Sequence, residues 1–191
     1  MPQYARPIED AFLYIPPPEY DGGPFGDSWR DNIGGTSDLF QRIGTNIPND
    51  TDYAESDLIL GPLFPDADED GDPGEAAFTE STAYVCKLSE VVDPVIDEGF
   101  TIRARLAKNE PDGVNVDCLI ELRKDYNVEG DALESDGDLG QLIASHIFEG
   151  ITSEFIEYSF VVTPEEAASI DNYDDLYLRF VFSASLKGVY A

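Results

Sequence analysis

Phe100–Leu106 (FTIRARL) and Val114–Arg123 (VNVDCLIELR) are the stretches that decide the fold class. In the first, Phe100, Ile102, Ala104 and Leu106 alternate with Thr101, Arg103 and Arg105. In the second, Val114, Val116, Cys118, Ile120 and Leu122 alternate with Asn115, Asp117, Glu121 and Arg123. A period of two puts the apolar set on one face of a strand and the polar set on the other, the pattern of a half-buried β-strand. Asn109–Gly113 (NEPDG) between them carries Pro-Asp-Gly turn chemistry, so the two strands are expected to form a hairpin.

The same period recurs on either side. It is clear at Thr82–Leu88, Leu139–Phe148, Phe155–Val162 and Leu176–Ala184, where Leu176, Leu178, Phe180 and Phe182 make one apolar face. Weaker strand signals lie at Leu39–Ile43 and Leu58–Leu60. One helical signal interrupts them: Thr163 as N-cap, Pro164 at the first helical position and Glu166 at the capping-box position, with Asp171 and Asn172 ending the helix after roughly two turns. About eight strands with a single crossover helix predict an all-β fold, an antiparallel β-sandwich or jelly roll.

The 191 residues suit one domain with an appended arm. Residues 1–26 are expected to be that arm. Pro2, Pro7, Pro16, Pro17, Pro18 and Pro24 fall there, interleaved with Tyr4, Phe12, Tyr14, Tyr20 and Phe25. Proline on this scale excludes a regular helix or a central strand and favours an extended segment. Aromatic side chains on such a segment have no core of their own, so they are expected to bury on a neighbouring subunit. Residues 27–191 then form the domain, with an acidic loop at 61–80.

Forty Asp and Glu against 11 Lys and Arg give a formal charge of −29. The basic residues are scattered, Arg103 and Arg105 being the only close arginine pair, so nucleic acid is set aside as a partner. Self-repulsion of this size opposes compaction in dilute buffer and is screened within about 3 Å at 1 M salt. The composition therefore points to a halophilic or marine setting, an acidic mesophilic protein being the alternative. No apolar run approaches the roughly 18 residues of a membrane span, and the basic-then-apolar pattern of a secretory signal is missing from the N-terminus. No membrane association is expected.

The motifs that could carry chemistry are few. Asp66, Asp68, Asp70 and Asp72, with Gly71, resemble the start of a calcium loop, in which alternating carboxylates converge on a hard cation. Ala77 stands where a bidentate Glu is needed and Pro73 stiffens the loop, so a solvated acidic loop is the competing reading. Cys86 and Cys118 fall on the apolar faces of their strands; buried small hydrophobes, a cross-strand disulfide and a reactive thiol are the alternatives. His146, the single histidine, shares its strand parity with Leu142, Ala144 and Phe148 and has no nucleophile motif beside it. Trp29 and the ten tyrosines leave a carbohydrate-binding module open. A glycosidase would need two carboxylates facing each other across a cleft. No catalytic or cofactor-binding residue is nominated, and the chain is expected not to be an enzyme.

The order of several short stretches resembles a family of small structural proteins of tailed phages and related archaeal viruses. They are Arg6-Pro7, Asp27-Ser28-Trp29, Ser37-Asp38-Leu39-Phe40, Asn49–Tyr53 (NDTDY), Tyr84–Ser89, Thr163–Ala167, Ile170–Leu176 and Leu178-Arg179-Phe180. The resemblance implies a place in the virion, as a capsid decoration or cement protein or as a tail, turret or fibre component, and implies no chemistry. It also implies the major capsid protein or other virion proteins as partners, and a homo-oligomer, a trimer being the guess. The proline-rich opening and the acidic loop depart from the family.

Overall fold

The computed structural model describes residues 5–14, 30–31, 41, 53–55, 82–89, 99–108, 114–126 and 140–186. Within them the chain is mostly β and wholly antiparallel. Its strands are β1 (Pro7–Tyr14), β2 (Arg30–Asp31), β3 (Ala54–Glu55), β4 (Thr82–Leu88), β5 (Phe100–Leu106), β6 (Val114–Lys124), β7 (Gln141–Phe148), β8 (Ile156–Val162) and β9 (Leu176–Leu186). A single turn of helix, α1 (Pro164–Ala167), joins β8 to β9. Five strands form one sheet in the order β1-β4-β9-β6-β7, while β5 pairs with β8 and β2 with β3.

The long strands follow the alternation, but their partners do not follow the turn signal. β5 pairs with β8, from Phe100 opposite Val162 to Leu106 opposite Ile156. β6 pairs with β7 and β9. The expected β5–β6 hairpin therefore does not form: the two strands belong to different sheets. Turn chemistry reverses a chain locally, whereas strand partners are chosen by where the apolar faces can be buried together.

That burial is shared between the sheets. Tyr84, Cys86 and Leu88 of β4, Val116, Cys118, Ile120 and Leu122 of β6, and Leu176 and Leu178 of β9 form one cluster with Ile102 of β5 and Phe160 and Val162 of β8. Burying a side chain such as Ile120 or Leu122 contributes about 1.5–3 kcal/mol. β9 runs through the middle of the larger sheet and is covered on both faces. Leu176 and Leu178 point to this cluster, while Tyr177 packs with Val85 and Tyr126 on the other side.

Residues 5–14 correct the reading of the N-terminal arm. β1 is hydrogen-bonded along β4, with Pro7 opposite Leu88, Phe12 opposite Val85 and Tyr14 opposite Ala83. Arg6 and Ser89 extend the seam: the Ser89 amide donates to the Arg6 carbonyl at 2.6 Å and the Arg6 amide to the Ser89 hydroxyl at 3.1 Å. This part of the proline-rich opening completes the chain's own sheet. It does so at the edge, where a proline costs no ladder hydrogen bond, and two register shifts accompany it.

β7 differs from its sequence pattern by one residue. Leu122 opposes Ala144 and Arg123 opposes Leu142, so Ile143 is an extra residue, a β-bulge. Side chains directly opposite share a face. The bulge therefore leaves Ala144, His146 and Phe148 on the core side and moves Leu142 to the opposite face with Arg123. Gly140 leads into this strand at φ +69°, and a Cβ there would overlap the Lys124 carbonyl, so both conformation and space require glycine.

The capping box forms as expected. The Thr163 hydroxyl accepts from the Glu166 amide at 3.2 Å, and the Glu166 carboxylate accepts from the Thr163 amide at 2.7 Å. The helix is one turn long instead of two, because the Ser169 hydroxyl and amide both donate to the Glu166 carbonyl and close the chain into a tighter turn. The strand expected at Leu39–Ile43 is represented by Gln41 alone, which is helical; Leu58–Leu60 lies outside the described residues.

Candidate functional site

The face of the larger sheet opposite the shared cluster carries an ion cluster that strand pairing assembles. Glu121 of β6 lies opposite Arg179 of β9 and two residues from Arg123 on its own strand. The Arg123 guanidinium donates to both carboxylate oxygens, Nε to Oε2 at 2.8 Å and Nη2 to Oε1 at 3.1 Å. Arg179 Nη1 donates to the same Oε2 at 3.0 Å. All three side chains are nearly excluded from solvent, Glu121 being 8% exposed. Burial pushes the Glu121 carboxyl up, but hydrogen bonds from Arg123 and Arg179 outweigh it and hold the group below its ordinary range. A carboxylate held ionised in this way accepts hydrogen bonds and does not serve as a proton donor near neutrality. Its role is to tie β6 to β9.

Beside it, Lys87 of β4 reaches Asp175 Oδ1 at 3.2 Å and lies over the Tyr177 ring. The Tyr177 hydroxyl donates to the same carboxylate oxygen at 2.9 Å. The hydrogen bond to Asp175 raises the Lys87 pKa against the opposing effect of burial. On the core side, the buried Lys124 ammonium reaches Asp171 Oδ1 at 2.6 Å and the Ser169 carbonyl at 3.2 Å, pinning the turn after α1 to the end of β6. That hydrogen bond lowers the Asp171 pKa.

The residues singled out in the sequence distribute as follows. Cys86 and Cys118 are fully buried and are not joined in a disulfide. β9 separates their strands, so the cross-strand contact that a disulfide needs does not exist, and desolvation pushes the Cys118 thiol pKa far up. His146 is exposed, stacked on Phe160 with ring centroids 5.7 Å apart and against Phe148 at 4.6 Å. Of the arm aromatics, Phe12 and Tyr14 lie on β1, while Tyr4, Tyr20 and Phe25 fall outside the described residues, as do Trp29 and the candidate calcium ligands Asp66, Asp68, Asp70 and Asp72. Among the described residues no group of three or more His, Cys, Asp or Glu side chains is arranged to hold a metal ion.

Sequence reasoning placed Glu121 and Arg123 on a polar face but did not single out their cluster with Arg179. The available signal was Glu121 and Arg123 at alternate positions of one strand and Arg179 as the single charge of another; what it lacked was the pairing of β6 with β9. Comparison with protein-family models, curated proteins and solved structures returns no match.

Proposed function

We propose that the chain is a non-enzymatic structural protein of a virus particle, a capsid decoration or cement protein built as a β-sandwich in which β5 and β8 cover one face of the five-stranded sheet. The observation that supports this best is the use made of buried charge. Glu121 is clasped by two arginines to join β6 to β9, and Lys124 anchors the crossover turn to β6. Charge committed to strand-to-strand ties suits a body that must keep its shape within a shell. The resemblance of the ordered sequence stretches to virion proteins supplies the setting.

The mode of attachment differs from the one residues 1–26 suggest, since residues 5–14 belong to the body. Binding to the major capsid protein is assigned to the rest of the chain. Mass spectrometry and a reconstruction of purified particles are expected to find the chain at a repeating surface site. A chain confined to the soluble fraction of infected cells refutes the reading.

A further inference from the structure

The two edges of the five-stranded sheet are guarded very differently. β1 carries Pro7, Glu9 and Asp10 and two register shifts, the devices by which sheet edges resist pairing with another chain. β7, Gln141–Phe148 (QLIASHIF), contains no Asp, Glu, Lys, Arg or Pro, although 27% of the chain is charged. Its one bulge lies at Ile143, near the start of the strand, and Ala144–Phe148 are regular. Among the described residues β7 pairs with β6 alone, and while Ile143 and Ala144 are buried in the core, Leu142 at 45% and Ile147 at 51% are exposed.

We propose that β7 pairs antiparallel with β7 of a second copy of this chain, continuing the five-stranded sheet across a two-fold axis. Two considerations select a second copy as occupant. Two bodies of formal charge −29 repel wherever their acidic surfaces meet, and an uncharged strand lets them approach edge to edge without facing carboxylates. The strand is also self-complementary. Leu142 and Ile147 lie on the same face, near opposite ends of β7, so reversing one copy against the other brings Ile147 of each near Leu142 of its mate and covers both exposed apolar side chains. Such a pairing closes as a dimer, which replaces the trimer guessed from the sequence. It concerns the isolated chain and does not depend on the particle reading.

Sedimentation velocity of the full chain at 1 M salt, where surface repulsion is screened within about 3 Å, is expected to give twice the 21.0 kDa chain mass. Ile147→Glu and Leu142→Glu each place a charge on this edge and are expected to return the monomer with an unchanged circular dichroism spectrum. Hydrogen exchange of the wild-type amides at 141–148 is expected to slow as concentration rises, a readout that needs no variant. A dimer that survives both substitutions overturns the proposal. So does a wild-type monomer whose 141–148 amides exchange alike at every concentration, which would leave this edge to a strand of another protein.

Discussion

Glu121→Gln tests the tie between β6 and β9 with little change of shape. The amide keeps the volume of the carboxylate and removes its charge, so the buried guanidiniums of Arg123 and Arg179 lose the anion that receives three hydrogen bonds at 2.8–3.1 Å. Breaking a buried pair by removing one partner costs about 3–5 kcal/mol. Arg123 also donates to the Gly140 carbonyl at 3.2 Å, which keeps the loss toward the lower end. At about 2–4 °C per kcal/mol for a chain of this length, the melting temperature should fall by about 6–20 °C. Arg103→Ala is the control. Its pair with Glu157 spans 3.4 Å with side chains 65% and 46% exposed, and such a pair contributes under about 1 kcal/mol and fades with salt. Calorimetry at low and molar salt separates the two, because only the buried cluster keeps its contribution in salt. The pH dependence has a definite sign. A carboxyl whose pKa is lowered by folding adds stability that is present above its unfolded value of about 4.3 and is lost as pH falls through the folded value. The gap between wild type and Glu121→Gln should therefore begin to close only as pH falls below that unfolded value. A variant that melts within 2 °C of wild type at neutral pH, at about the threshold of a 1 kcal/mol effect, would show that the cluster does not hold the strands together.

Two further outcomes follow from the sheet. Deleting residues 1–14 should destabilise the body by about 3–6 kcal/mol, at about 1 kcal/mol net for each ladder hydrogen bond lost along β4; a truncated chain with the urea midpoint of the full-length protein would restore the free-arm reading. Cys86 and Cys118, both at 0% exposure, should react with a disulfide-exchange reagent only at the rate of global unfolding, and a thiol titrating within seconds in native buffer would contradict their burial.

Much of the local structure is legible in the residues themselves. Thr82–Leu88 spans β4 exactly as the alternation marks it, and Phe100–Leu106 spans β5. Thr163, Pro164 and Glu166 specify a helix start whose capping box forms. The apolar parity of Cys86 and Cys118 already implies burial. These features are legible because each depends on neighbours within a few positions, through side-chain alternation or a local hydrogen bond. What the tertiary structure decided is who pairs with whom. The backbone of a strand offers the same donors and acceptors to any partner, so alternation places β5 on a core without assigning it to β8, and turn chemistry at 109–113 does not override the burial that does. Pro7–Tyr14 looks like a free arm because proline and mixed polarity exclude a central strand, yet an edge position beside β4 requires neither a second ladder nor strict alternation. Leu142 changes face through a bulge visible only against β6, and Glu121, Arg123 and Arg179 become one cluster only when β6 and β9 lie side by side. A residue's face is a property of its own strand, whereas its contacts depend on how every apolar face of the chain is buried at once.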